Sequence, residues 1–454
     1  MQATTLPREP GRDDAMRADT GTSHGGVVLE GWTTSSGVRV LYAARRSLPI
    51  VDLNIDFEAG SCVDPPGKAG LSEMVASLLL TGQKRHGPLP AMREEAAEHA
   101  FDDIGAKVAA DAQADRIAIG LRSLSQPVLL ARALLLLGAM LAAPSWAARP
   151  FERERERLLA FAEEQLTDPE QLCNLRLTQA LYEGHPFGVI ADATSIAAIG
   201  RQDVAAFHRR YLVRSRAIIT LVGDLARADA ERIAETLALA LPVAPAGDEP
   251  TPGAPQRADA EGEEPEEHKK TAGRRLTIDH PASQAHIVIG ARVPGVGDAG
   301  YFPLMIANRM FSWRLNDVVR DRLGLAYEVS SALFMSRLGE HRIALKTRGD
   351  QAQQALDAVR ETLRGFVSGG ADGVDAAEFD RTRRELIDGR PLAFDSNAKL
   401  LRHAADIGFD RLPLDRLQRW PEQVAAVTLE QAIATFAKWI DPARQTTLVL
   451  GARR

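Results

Sequence analysis

A chain of 454 residues, 45% hydrophobic and 26% charged, is too long for one ordinary core and points to two to four domains. Its 55 basic and 61 acidic residues leave a net charge of −6, which excludes a single-sign polymer and gives no electrostatic footprint for nucleic acid. Two cysteines, Cys62 and Cys173, are too few for a disulfide scaffold or a cysteine-built zinc site.

In chain order, residues 1–26 are polar and aperiodic, and read as a loose tail. They lack the apolar stretch of a secretory signal, so the expected location is cytoplasmic as written, or periplasmic if a leader precedes this start. The first strong strand is Ile50–Phe57. A Pro-Pro-Gly turn, Pro65-Pro66-Gly67, then leads to a helix beginning near Gly70, with Leu71, Met74, Val75, Leu78 and Leu79 on one face. Glu95, His99, Asp102 and Asp103 follow at helical spacing; they could form a metal-binding face, but a charged helix surface accounts for them equally simply. A strand is expected at Arg116–Leu121 and a helix over 127–142. The run Val128–Ala143 is the most apolar in the chain, but Arg132 interrupts it and Pro144 ends it, so it reads as a buried helix and not as a membrane span. Arg153-Glu154-Arg155-Glu156-Arg157 alternates sign and reads as a solvated helix with local ion pairs. The first half closes with the strand Ala217–Gly223.

Residues 243–273 hold five prolines, eight acidic and three basic residues and almost no large apolar side chain. Such a stretch cannot bury enough surface to offset its ordering entropy and reads as a solvated linker between 27–242 and 274–454. The second half repeats the layout of the first: strand His286–Val293, strand His341–Lys346, helix 351–368, and a final β run, Thr446–Gly451, again ending at glycine. Short strands alternating with long amphipathic helices predict an α+β architecture, a duplicated pair of domains in which helices cover one face of each sheet.

Three segments carry a family resemblance. Gly70-Leu71-Ser72 and the helix that follows resemble the zinc-motif helix of the M16 (insulinase/pitrilysin-like) metallopeptidases. Leu181-Tyr182-Glu183-Gly184-His185-Pro186-Phe187-Gly188 resembles that family's HPYG loop, and Ser195–Leu225 resembles the block ending in VGD. The resemblance is to the short, two-domain M16B members, and it implies two homologous α/β-sandwich domains of the LuxS/MPP-like metallohydrolase fold. Active members carry H-x-x-E-H on this helix: residues at i and i+4 share a face, so two imidazoles reach one zinc ion, while the Glu between them polarises its water. Here the motif positions are Glu73, Ala76 and Ser77, so both His ligands and the general base are gone. The family's third ligand is a Glu shortly before an Asp-Pro dipeptide; counting back from Asp168-Pro169 puts Phe161 there, with Glu163 and Glu164 out of register. The resemblance therefore implies a scaffold that has lost its metal site and binds no zinc itself. His185 reads as a structural loop histidine.

Arg314–Tyr327 resembles the family's second signature, SRLxxxLRExxGLAY, in which an Arg and a Tyr reach across the closed chamber to the substrate backbone. On this sequence they fall on Arg320 and Tyr327. A guanidinium offers fixed donors to a carbonyl, and a phenol can donate to an oxyanion. The glycine-rich segment that often precedes this Arg-Leu is replaced by Asn308-Arg309-Met310-Phe311-Ser312-Trp313, which would make a stiffer apolar wall or simply domain packing. The resemblance implies the non-catalytic, substrate-binding subunit of a heterodimeric zinc peptidase, whose H-x-x-E-H partner supplies zinc and general base. The alternatives are a peptide-binding scaffold without peptidase function, like the respiratory-complex core subunits of this fold, and a homodimer.

Overall fold

The computed structural model describes residues 27–245, 273–335, 337–369 and 374–451. The expected tail, and all but the ends of the expected linker, lie outside the described residues.

The strands are β1 (Glu30–Thr33), β2 (Arg39–Ala44), β3 (Ile50–Phe57), the short pair β4 (Gly82–Gln83) and β5 (Met92–Arg93), β6 (Lys107–Ala112), β7 (Ile117–Leu124), β8 (Ala217–Gly223), β9 (Arg275–Ile278), β10 (Gln284–Val293), β11 (Glu328–Met335), β12 (Gly339–Arg348) and β13 (Thr446–Leu450). Two of the strands expected from sequence, at β3 and β8, coincide with the observed ones; the others differ by one to three residues at one or both ends.

Two mixed sheets organise the chain. The first has the order β1-β2-β8-β3-β7-β6 and the second β11-β12-β10-β13-β9. With β1 set aside, the orders match strand for strand when β2 is aligned with β9, β8 with β13, β3 with β10, β7 with β12 and β6 with β11. Even the single parallel contact recurs: β2 with β8 in the first sheet, β9 with β13 in the second. The duplication expected from residue patterns is thus present in the topology.

The central strand β3 shows how burial selects residues. Its apolar side chains are nearly all buried, and its two acids, Asp52 and Asp56, are buried as well. Each has a guanidinium from the neighbouring β7 side: Arg122 Nε lies 2.7 Å from Asp52, and Arg116 lies 4.0 Å from Asp56. Buried charge is retained here because it is paired.

On one face of the first sheet sit α1 (Leu71–Leu79), α2 (Glu94–Asp102), α3 (Pro127–Ala142) and α4 (Ala148–Thr167), together with the Arg201–Tyr211 and Arg227–Ala240 helices. The expected inward residues Leu71, Met74, Val75, Leu78 and Leu79 are all buried. A second core of the same kind underlies the second sheet, built on the Tyr301–Leu315, Ala352–Ser368 and Leu429–Trp439 helices.

Each half also lends a helix to the other. The Asn397–Phe409 helix packs Leu400, Ala404 and Ile407 on Leu41, Ala43, Ile218 and Val222 of the first sheet. Reciprocally, α5 (Pro169–Leu181) packs Leu172, Leu177 and Leu181 on Val288, Leu448 and Leu450 of the second. Both contacts are close: a Cβ on Gly408 would meet a Leu41 methyl at 2.6 Å, and one on Gly290 a Leu177 methyl at 2.9 Å, so a larger residue would displace these leucine side chains. No helix among the described residues is long and apolar enough to cross a membrane.

Candidate functional site

The degenerate motif sits on α1. Gly70 caps this helix in a left-handed conformation, φ 96°, and its amide and that of Ser72 both donate to the Asp64 carboxylate at 2.9 Å. Burial pushes Asp64 up to about 6 despite these amide donors. These bonds fix the start of the helix.

Its exposed side carries Glu73 and Ser77, one turn apart, while Ala76 is buried and offers only a methyl. The group they face is a guanidinium. Arg157 Nη2, from α4, lies 3.1 Å from Glu73 and 3.4 Å from Ser77 Oγ. The same guanidinium binds Glu154, through Nε at 2.8 and 3.0 Å and through Nη2 at 2.6 Å. Glu154 is buried, contrary to the solvated helix expected for residues 153–157; it turns inward because Arg157, one turn on, neutralises it. Desolvation raises the Glu73 carboxyl above its usual range, with Arg157 opposing.

Phe161, the position reached by counting from Asp168-Pro169, is 45% exposed. The α4 side chain that shares a guanidinium with Glu73 and Ser77 is instead Glu154, two turns earlier on the same helix. Counting back from a distant dipeptide could not find it; the seven-residue offset keeps the helical face while moving along the axis.

These residues do not fit a catalytic zinc ion. Such an ion needs three protein ligands and an open position. Glu73 and Glu154 are both taken by Arg157, Ser77 is a neutral hydroxyl, and the place of a cation is filled by the guanidinium. Among the described residues no three His, Cys, Asp or Glu side chains are grouped to hold a metal ion, the Glu95–Asp103 set included.

The second signature lies on the other sheet. The Tyr301–Leu315 helix widens into a π-helical turn, Asn316–Arg322, from which Arg320 projects. The chain then reverses at Gly324, φ 61°, whose amide donates to the Arg320 carbonyl at 3.1 Å. A Cβ on Gly324 would meet nothing within 4 Å, so the left-handed backbone, and not space, is what favours glycine there. Buried Val319, Leu325 and Ala326 anchor both arms of the turn. Tyr327 emerges just before β11 and is 93% exposed. Arg320, Gly324, Ala326, Tyr327 and Glu328 together line an open cavity of about 660 Å³. Arg320 Nε lies 2.8 Å from Asp321, and both side chains are about half exposed. A large phenol left almost wholly in water is an unusual use of an aromatic ring within one chain.

The two sites stay separate in this chain: Arg320 and Tyr327 share the cavity, while Glu73 and Ser77 face Arg157 across α1 and α4. The substituted segment before Arg320 is the interior of the Tyr301–Leu315 helix. Met310 and Phe311 are fully buried, with Phe311 against Phe366 and Phe436, so they are domain packing; Trp313 is 55% exposed under Arg309. His185 has a structural place in the loop: its Nδ1 accepts from the Phe187 amide at 3.2 Å, and its ring packs with those of Tyr182 and Phe187.

Comparison with known proteins supports the resemblance. The family model described as the peptidase M16 inactive domain matches residues 198–386. Among solved structures, the peptidase M16 inactive domain from Pseudomonas fluorescens is 28% identical, with a TM-score of 0.82 over 94% of this chain and 98% of that one. A protease from Helicobacter pylori matches in fold at 17% identity, with a TM-score of 0.78 over 93% of this chain and 99% of that one. The periplasmic protease PqqL from Escherichia coli matches at 14% identity and a TM-score of 0.75, with 94% of this chain covering 46% of that longer one. No curated protein matches. Over residues 198–386 the chain is thus similar to the peptidase M16 inactive domain, and it shares a two-sheet α+β fold with these structures.

Proposed function

We propose that this chain is the substrate-positioning subunit of a two-chain zinc peptidase, closing a peptide chamber opposite a partner that carries H-x-x-E-H. The observation that carries this reading is the solvent-directed pair Arg320 and Tyr327 on one cavity, in a chain whose own metal position is filled by Arg157. A phenol and a guanidinium on one wall can hold an extended peptide by its carbonyls and donate to the oxygen that gains charge during cleavage. The peptide backbone is suited to lie as an added strand, since both sheets end in antiparallel edges, β6 and β11. Water activation then belongs to the partner, because Ala76 supplies no base.

The test is direct. The purified chain should contain no stoichiometric zinc and should cleave no peptide, and it should co-purify with an H-x-x-E-H chain when the two are expressed together. Chelator-sensitive cleavage by the isolated chain would sink the proposal. A second reading, a peptide-binding scaffold without peptidase function, draws on the packed Met310 and Phe311 in place of a flexible glycine segment. It predicts that no zinc-bearing chain co-purifies.

A further inference from the structure

The short 3-10 turn Arg390–Phe394 opens on an arginine that, among the described residues, makes no ion pair with an acid. Its guanidinium lies 4.5 Å from the Phe394 ring centre and 4.6 Å from that of Trp420. Its Nε is sealed from solvent, and among the described residues no hydrogen bond satisfies it. Beside it stands a second cation. Arg416 lies 4.9 Å from the Tyr301 ring and 5.3 Å from Phe302, and its guanidinium donates to the Val296 carbonyl at 2.9 Å. Phe302 in turn meets Trp420 edge-to-face at 6.2 Å, so the two arginines share one aromatic wall.

Arg45 from the first half adds positive charge, donating to the carbonyls of Phe394 and Asp395, and His403 packs edge-to-face on Phe394 at 5.1 Å. The nearby carboxylates are engaged elsewhere: Asp395 by Lys399 at 2.6 Å, and Asp415 by Arg419 at 3.6 Å. Burial and Arg416 pull Arg390 down to about 10, and burial with Arg390 and Arg402 pulls His403 down to about 4. Charges desolvated in this way are ordinarily paired. Aromatic contacts offset part of that cost, but they leave the buried Arg390 Nε without an acceptor among the described residues.

We infer that Arg390 and Arg416, on the aromatic wall of Tyr301, Phe394 and Trp420, form a binding site for a small oxyanion, a phosphate or a carboxylate. A guanidinium fork matches both geometrically, and an anion placed there supplies the missing counter-charge. The site lies at the seam where the first half, through Arg45, holds the Arg390–Phe394 turn, so its occupancy should stiffen the joint between the halves. It is distinct from the Arg320–Tyr327 cavity and independent of any peptidase role.

The experiment follows thermal unfolding of the full chain against inorganic phosphate and, separately, sodium acetate, at ionic strength held constant with chloride. Wild type should be stabilised by at least one oxyanion beyond the chloride control. In Arg390→Met and Arg416→Met, apparent affinity should drop about tenfold, the worth of one charge-assisted hydrogen bond. Arg348→Met, an exposed arginine elsewhere, should respond as wild type. Response to phosphate alone assigns a phosphate site, and response to acetate alone a carboxylate site. If neither oxyanion exceeds chloride, or if the Arg390 and Arg416 variants respond as wild type does, the site does not exist.

Discussion

Replacing Arg157 by Met should destabilise the protein, and the structure sets the size of the effect. The Glu154 side chain is only 9% exposed, and both its oxygens accept from Arg157. Stranding a fully buried carboxylate costs about 3–5 kcal/mol. Here the guanidinium itself is 49% exposed and Glu73 is 41% exposed, so water can replace part of what is lost. That discount brings the expected loss to about 1–2 kcal/mol, a drop of roughly 2–8 °C in Tm for a domain of this size. Neutralising the stranded acid should recover most of it, so Arg157→Met with Glu154→Gln should be more stable than the two single effects sum to. Thermal unfolding of the four proteins in this cycle, at neutral pH, is the assay. A single Arg157→Met indistinguishable from wild type, or a strictly additive cycle, would refute the claim that this guanidinium stands as the structural cation between α1 and α4.

Other outcomes follow from the same contacts. Asp64→Ala removes the acceptor for the Gly70 and Ser72 amides and should cost about 1–2 kcal/mol, read as a lowered Tm; a variant as stable as wild type would mean that water caps α1 equally well. Gly408→Val forces side-chain atoms into Leu41 and Ile218 at the borrowed helix and should cost about 1–3 kcal/mol, with limited proteolysis revealing earlier release of residues 397–409. Burial holds the Asp56, Asp64 and Asp410 carboxyls up at about 6. Because these are raised acids, the native state keeps protons that the unfolded chain releases, so their contribution is present at low pH and lost as pH rises through about 6. The histidines that burial lowers, His341 to about 3 and His403 to about 4, act oppositely over the same range, so the test is a comparison of variants. The stability of Asp64→Asn relative to wild type should rise between about pH 5 and about pH 7.5 by on the order of 1–2 kcal/mol in denaturant unfolding; a difference that does not change with pH would count against it. The lowered carboxyls Glu94 and Asp203 act in the opposite sense, and only below this window.

Much of the fold was legible because apolar pattern and burial coincide. Ala217–Gly223 is an almost continuous apolar run, Ile50–Phe57 alternates apolar with polar residues, and α1 presents a clean buried face. The edge strand β6, Lys-Val-Ala-Ala-Asp-Ala, has one β-branched residue and little apolar contrast, so residue pattern did not reveal it. Nor could pattern reveal that Asn397–Phe409 serves the first sheet and α5 the second, since the contacts join residues more than a hundred positions apart. The metal position was half legible: the absence of histidines at Glu73 and Ser77 is plain in sequence. What fills the space instead, Arg157 held by an inward Glu154, is hidden inside a run whose alternating charge looks like solvated surface. Arg320 and Tyr327 were readable by resemblance alone; their exposure on one cavity needed the fold.

The central claim is that Arg320 and Tyr327 act on a peptide held against a zinc-bearing partner. Its most direct test is kcat/KM for peptide cleavage by the reconstituted pair, with wild-type chain, Arg320→Ala and Tyr327→Phe, alongside binding measurements confirming that each variant still associates. Removing a donor to a developing oxyanion typically costs about 10²-fold or more in kcat, so both variants should fall by about that factor while pairing normally. Full activity in both variants, or equal activity of the partner with this chain left out, would contradict the account.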